Sequence, residues 1–276
     1  IALGFSACAI SNYSIAIGAN SDSTGINTTA VGTNASALAN YSSSYGTLAN
    51  ASGLASMAFG AGANASNTGA IAHGVNSTAS GANSSTFGTE AQATAEDAIA
   101  IGHTALANKI NATAIGSGAL ATGTNATALG DAAKASGNGA QALGYQAIAL
   151  GENSIALGRQ ANASGVNSQA LGFQSKASGI ESRASGFNAN ASGDYSQALG
   201  RQAKASGDYS TASGFQSTSS GLYSQASGYQ ANASGTGAQA SGSSANANGT
   251  GAQASGYFAT ANGNGAQASG YQASAS

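Results

Sequence analysis

Apolar and polar positions alternate along this chain with period two for five residues at a time, and the figure then repeats every seventh residue. Ser154-Ile155-Ala156-Leu157-Gly158-Arg159-Gln160 shows the unit: small, variable, alanine, variable, glycine and two further residues. The alternation predicts a short strand, and Gly-x-x predicts a turn. Stepping by seven from Gly4 to Gly270 visits 39 positions, of which 34 are glycine, with no insertion to break the count. The residue two before each is alanine except at Ser23, Ser44, Thr86 and Ser219, and two earlier again it is Ala or Ser except at Thr28. A fixed period of this kind predicts an all-β solenoid whose small residues face inward.

Successive heptads differ, so the true coil is fourteen residues, and the chain holds about 20 coils. Before every second glycine stand Leu3, Ile17, Val31, Tyr45, Phe59, His73, Phe87, Ile101, Ile115, Leu129, Leu143, Leu157, Leu171 and Leu199, interrupted by Ser185 and followed by serine. Ile15, Met57, Ile71, Ile99 and Ile155 add to that face, whereas the alternate heptads carry mostly Ser, Thr and Asn. A stripe of this length left in water is a patch that monomers rarely carry. The apolar residues of that series (His73 and Ser185 excepted) are expected to form the seam of a homotrimer around a shared axis. Beyond about residue 211 the same face reads Gln225, Gln239, Gln253 and Gln267 with serines, predicting a seam that turns polar.

Composition narrows the alternatives. With 41 glycines, no proline and 6% charged residues the chain is not ordinary globular sequence, and its strict period argues against disorder. Collagen needs glycine every third residue. A coiled coil with glycine in every heptad would lose about 1 kcal/mol per repeat relative to alanine. A formal net charge of -2 predicts no nucleic-acid partner and no direct membrane contact in this segment. Cys8 is alone, which rules out an intrachain disulfide. The sequence starts and stops inside repeats, so residues 1–276 are expected to be a single continuous repeat domain and a segment of a longer chain.

Tyr13-Ser14-Ile15-Ala16-Ile17-Gly18-Ala19-Asn20-Ser21 and Asn153-Ser154-Ile155-Ala156-Leu157-Gly158 are similar to the Asn-Ser-Val-Ala-Ile-Gly-x-x-Ser motif of YadA-like head repeats of trimeric autotransporter adhesins. The resemblance covers the whole chain. It implies a left-handed parallel β-roll, trimeric, extracellular on a bacterial cell surface and anchored in the outer membrane through a part not present here. It further implies attachment to extracellular matrix proteins, other surfaces or other cells. Ser14, Ile15, Ala16, Ile17, Gly18, Ser21, Asn153, Ser154, Ile155, Ala156, Leu157 and Gly158 are the ligand-binding candidates that the motif carries over.

Catalysis needs convergent acids, bases or nucleophiles, and here the nine Asp and Glu and two His are scattered. No enzyme activity, catalytic residue, metal or cofactor is expected. His73 is read as a packed neutral histidine, and Glu96 and Asp97 as turn salt-bridge partners of Lys109. Aromatic rows at the turns, such as Tyr145, Phe173, Phe187, Phe215 and Tyr229 with Arg159 and Arg201, are read as packing against a neighbouring chain. The rival readings are an ice-binding or other flat-surface-binding solenoid, for which threonine ladders are too few, and a purely structural filament or spacer.

Overall fold

A computed structural model describes residues 1–276. The chain forms two compact units, Ile1–Gly139 and Ala140–Ser276, built on one plan. Each coil contributes a three-residue strand, such as Ile15–Ile17 or Ile155–Leu157, and a two-residue strand, such as Asp22–Ser23 or Asn162–Ala163. Forty strands at two per coil give the twenty coils that the period predicts. Every partner lies fourteen residues away and runs parallel: Ile15 with Thr29 and Ile17 with Val31 in the first unit, Ile155 with Gln169 and Leu157 with Leu171 in the second. Within each unit the long strands make one sheet and the short strands the other.

Alanine and serine line the space between the sheets. Ala156, Ala161 and Ala163 are wholly buried, and the bulkiest fully buried side chains anywhere are Thr28 and Thr86. Burying a methyl contributes only about 0.8 kcal/mol, so backbone hydrogen bonding has to carry much of the cohesion. It does so at the turns as well as in the strands. Gly158 N–H donates to Leu143 C=O (2.9 Å), Asn162 N–H to Ser175 C=O (2.9 Å), and the turn residue Gln160 donates to Tyr145 C=O (2.8 Å).

The two turns of a coil use glycine differently. In the first turn, Gly158-Arg159-Gln160, the glycine has φ +134°, and a Cβ there would lie 2.6 Å from the Gly172 carbonyl oxygen. In the second, Gly165-Val166-Asn167, φ is not in the left-handed region, and only the next coil's backbone excludes a side chain. Every departure from glycine (Ser11, Ala39, Asn67, Ala95 and Lys109) falls at a second turn, where φ is one that an L residue can adopt. Both turns also place their third residue in the left-handed region, among them Asn27, Asn153, Gln160 and Asn167 at φ 52° to 57°. That requirement explains why asparagine, which tolerates this conformation, recurs there.

Candidate functional site

The register assigns each candidate residue a side. Ser14, Ala16, Ser21, Ser154 and Ala156 are buried between the sheets, and Gly18 and Gly158 are turn residues at φ +130° and +134°. Of the twelve motif residues, side chains reach the surface only from Ile15, Ile17, Asn153, Ile155 and Leu157. The motif is therefore chiefly a folding unit with two or three outward positions. Its hydroxyls serve the interior: Ser14 donates to the Ser11 carbonyl (2.7 Å) and Ser21 to that of Gly18 (2.9 Å).

The apolar stripe lies on the outer face of the long-strand sheet. In the first unit Leu3, Ile17, Tyr45, Phe87, Ile101 and Leu129 are exposed, and Val31, Phe59 and Ile115 are half-buried; in the second Leu157 is exposed, and Leu143, Leu171 and Leu199 are half-buried. In-register pairing brings the first unit's aromatics into one column. Tyr45 stacks on Phe59 (5.0 Å between ring centroids, 1° between planes), and His73 sits between Phe59 (6.0 Å) and Phe87 (5.5 Å). His73 is thus packed by rings above and below, with its edge open to solvent. Ile26, Leu54 and Ile110 are also exposed, at second turns of the first unit, so apolar residues are not confined to the stripe.

Turn rows stack on themselves within the chain, because the third turn residue ties each turn to the coil before it. In the second unit, Arg159 lies over the rings of Tyr145 (5.4 Å) and Phe173 (5.6 Å), and Arg201 over those of Phe187 (5.3 Å) and Phe215 (5.6 Å). Phe173 stacks on Phe187 (5.2 Å) and Phe215 on Tyr229 (5.3 Å), completing an unbroken seven-coil column from Tyr145 to Tyr229. Beside it runs an amide ladder: Gln160 donates to Gln146 (3.1 Å), Gln174 to Gln160, Gln216 to Gln202 and Gln230 to Gln216 (each 3.0 Å).

The opposite turn of that unit stacks Tyr195 on Tyr209 (4.8 Å) and Tyr209 on Tyr223 (5.0 Å). Asp194 and Asp208 sit beside them, accepting backbone N–H bonds from Ile180 (2.8 Å) and Asp194 (2.9 Å). Half-exposed as it is, Tyr209 has its phenol pushed up by the water its stacked neighbours displace, and by the like negative charge of Tyr195, Tyr223, Asp208 and Asp194.

One expectation fails. Glu96 and Asp97 form no salt bridge with Lys109; the coils there are joined by the backbone, Asn111 N–H to Glu96 C=O (3.1 Å). Adjacent turns are held by main-chain bonds whatever their side chains, so an exposed ion pair would add little. What the sequence reading missed, the third turn residue and its left-handed conformation, had a visible signal: Asn or Gly two places after the ladder glycine, as at Asn20, Asn27, Asn34 and Gly62.

Among curated proteins no match is found. Among solved structures, the chain is similar to the crystal structure of the collagen-binding domain of the Yersinia adhesin YadA, at 24% identity over 63% of this chain and 66% of that one. The chain thus spans slightly less than two thirds of that structure, and the TM-score of 0.23 is too low for the overlay to bear on function. The profile of the YadA head domain repeat matches residues 1–21, 23–49, 51–77, 93–119, 121–147, 139–161, 149–175, 163–189, 177–203, 191–217 and 254–276. Those matches take in far more than half of the residues, and their fourteen-residue steps coincide with the coils seen in the structure: the chain belongs to the family of YadA head domain repeats.

Proposed function

We propose that this chain is a non-catalytic adhesin head module, a homotrimeric left-handed β-roll displayed on a bacterial cell surface, which attaches to matrix proteins, other surfaces or other cells. The observation that carries this reading is the apolar stripe. Leu157, 51% exposed, pairs in register with Leu171, and the row continues coil after coil on one face. A repeated stripe of this kind is most simply covered by copies of itself under closed symmetry. Family membership supports the adhesive role. The heptad count also passes residues 139–140 without insertion, which supports reading 1–276 as one continuous repeat domain.

Within this reading the outward motif residues Ile15, Ile17, Asn153, Ile155 and Leu157 divide their work. Ile17 and Leu157 belong to the stripe and cover the seam, whereas Asn153 is exposed at a second turn, where its amide donates to Asn167 (3.4 Å) and its outer edge can meet a ligand. The test is the solution mass by light scattering on a size-exclusion column, followed by binding to immobilised collagen and other matrix proteins. Three copies with saturable binding are expected. A stable monomer would overturn the seam, and a trimer that binds no surface would favour a spacer.

A further inference from the structure

Net charge conceals how charge is distributed in the second unit. Residues 140–276 carry five cations, Arg159, Lys176, Arg183, Arg201 and Lys204, and four acids, Glu152, Glu181, Asp194 and Asp208. All four acids fall in second turns. Arg159 and Arg201 fall in first turns, and Lys176 and Lys204 open the short strands Lys176–Ala177 and Lys204–Ala205 that follow those turns. One edge of the coil stack is acidic and the opposite edge is cationic. Arg183 alone among the cations lies toward the acidic side, two residues after Glu181.

The guanidiniums on the cationic edge are also held in place. Each guanidinium carbon lies between two aromatic rings, one from the coil before and one from the coil after, at 5.3 to 5.6 Å from their centroids, and an aromatic ring offers the N–H donors no strong acceptor. The carboxylates of this unit stand on the far turns, so none takes up those donors. Arg159 and Arg201 are exposed, as are Lys176 and Lys204. Three coils separate the two arginines, about 14 Å at the usual strand spacing, and the neutral amides of Gln160, Gln174, Asn188 and Gln202 line the interval, the glutamine ladder being broken at Asn188. A pre-ordered guanidinium loses less freedom on binding an oxyanion than a free side chain would.

We infer that this edge, running from Arg159 to Lys204, is a docking ladder for a linear sulfated polysaccharide. Sulfate groups would take the in-plane guanidinium donors and the lysine ammonium groups, while sugar hydroxyls meet the glutamine amides. A chain running along the coil axis meets a cation or an amide on nearly every coil. The acidic opposite turns repel the same polymer and so fix which edge it uses. The inference adds a ligand class to the adhesive reading and does not depend on the apolar seam.

Titration of the assembled wild-type protein with a heparin oligosaccharide, by calorimetry at increasing salt, tests it. Saturable binding that weakens as salt rises is expected. Arg159→Gln combined with Arg201→Gln should weaken it about tenfold, and Lys176→Gln with Lys204→Gln should do so without disturbing any stacked ring. Arg183→Gln should leave affinity within about twofold, because that side chain is off the edge. Wild-type affinity in both double variants overturns the assignment, as does absence of heparin binding by a correctly assembled protein. Equal affinity for polyphosphate or for fully desulfated heparin would show a general anion surface and overturn the sulfated-glycan claim. Loss of matrix-protein binding with heparin binding intact would count against the adhesive reading alone.

Discussion

Tyr209 lies flat on Tyr195, with 4.8 Å between ring centroids and 6° between planes, one coil apart on the acidic edge of the second unit. The same stacking that orders the ring opposes ionisation of its phenol, which Asp208 and Asp194 oppose further. The folded phenol therefore titrates above the ordinary value of 10.0. Its contribution to stability is complete below the unfolded value and is lost as pH rises through the folded one. Ring-labelled tyrosine NMR across that range should show Tyr209 ionising after an isolated phenol, and Asp208→Asn should move its midpoint down. A midpoint unmoved by Asp208→Asn would remove the aspartate from the explanation.

Gly158 and Gly151 separate two reasons for glycine. Both face the backbone of the next coil, but only Gly158 has φ in the left-handed region, at +134°. Gly158→Ala should therefore cost about 1–3 kcal/mol more than Gly151→Ala in denaturant unfolding. Equal costs would mean that crowding, not backbone conformation, keeps the first-turn series free of exceptions.

Buried hydroxyls are unequal in a way that mutation can read. Ser224 donates to the Gly221 carbonyl (2.7 Å) and shares a bond with Ser219 (2.6 Å), whereas the wholly buried Ser168 hydroxyl has no partner. Ser224→Ala should destabilise by about 1 kcal/mol, and Ser168→Ala should be neutral or stabilising by a similar amount. Unfolding of the two variants side by side decides the matter.

Leu143, Leu157 and Leu171 occupy three consecutive coils of the stripe. Replacing all three with Asp places three carboxylates where the seam is proposed, and the assembly should dissociate while circular dichroism stays that of folded β-structure. Retention of wild-type mass by the triple variant would sink the seam assignment.

Much of this architecture could be read in advance, because a period of seven with inward Ala and Ser leaves one arrangement for the backbone. Alternation alone turns Ala16, Ala156 and Ser154 inward, and the coil length follows from Leu157 and Ser164 standing in equivalent places of unlike heptads. Less of the site was legible. The motif around Ile155 reads as one block in sequence, yet the pleat sends its alternate residues to opposite sides, which strips half of them of any outward role. A net charge hides where the charges stand. Arg159 and Glu152 are seven residues apart and look adjacent in the sequence, but seven residues is half a coil, which puts them on opposite edges.

Nothing larger than threonine is fully buried between the sheets, and this has a genetic consequence. A core of interlocking bulky side chains ties each residue to particular neighbours, so that inserting or removing a segment leaves holes. An interior of methyls and hydroxymethyls makes no such distinction: within either unit one coil's inner surface is nearly interchangeable with another's. Gain or loss of fourteen codons then leaves the remaining coils still matched, and unequal recombination between repeats can change the number of coils without a compensating change in the interior.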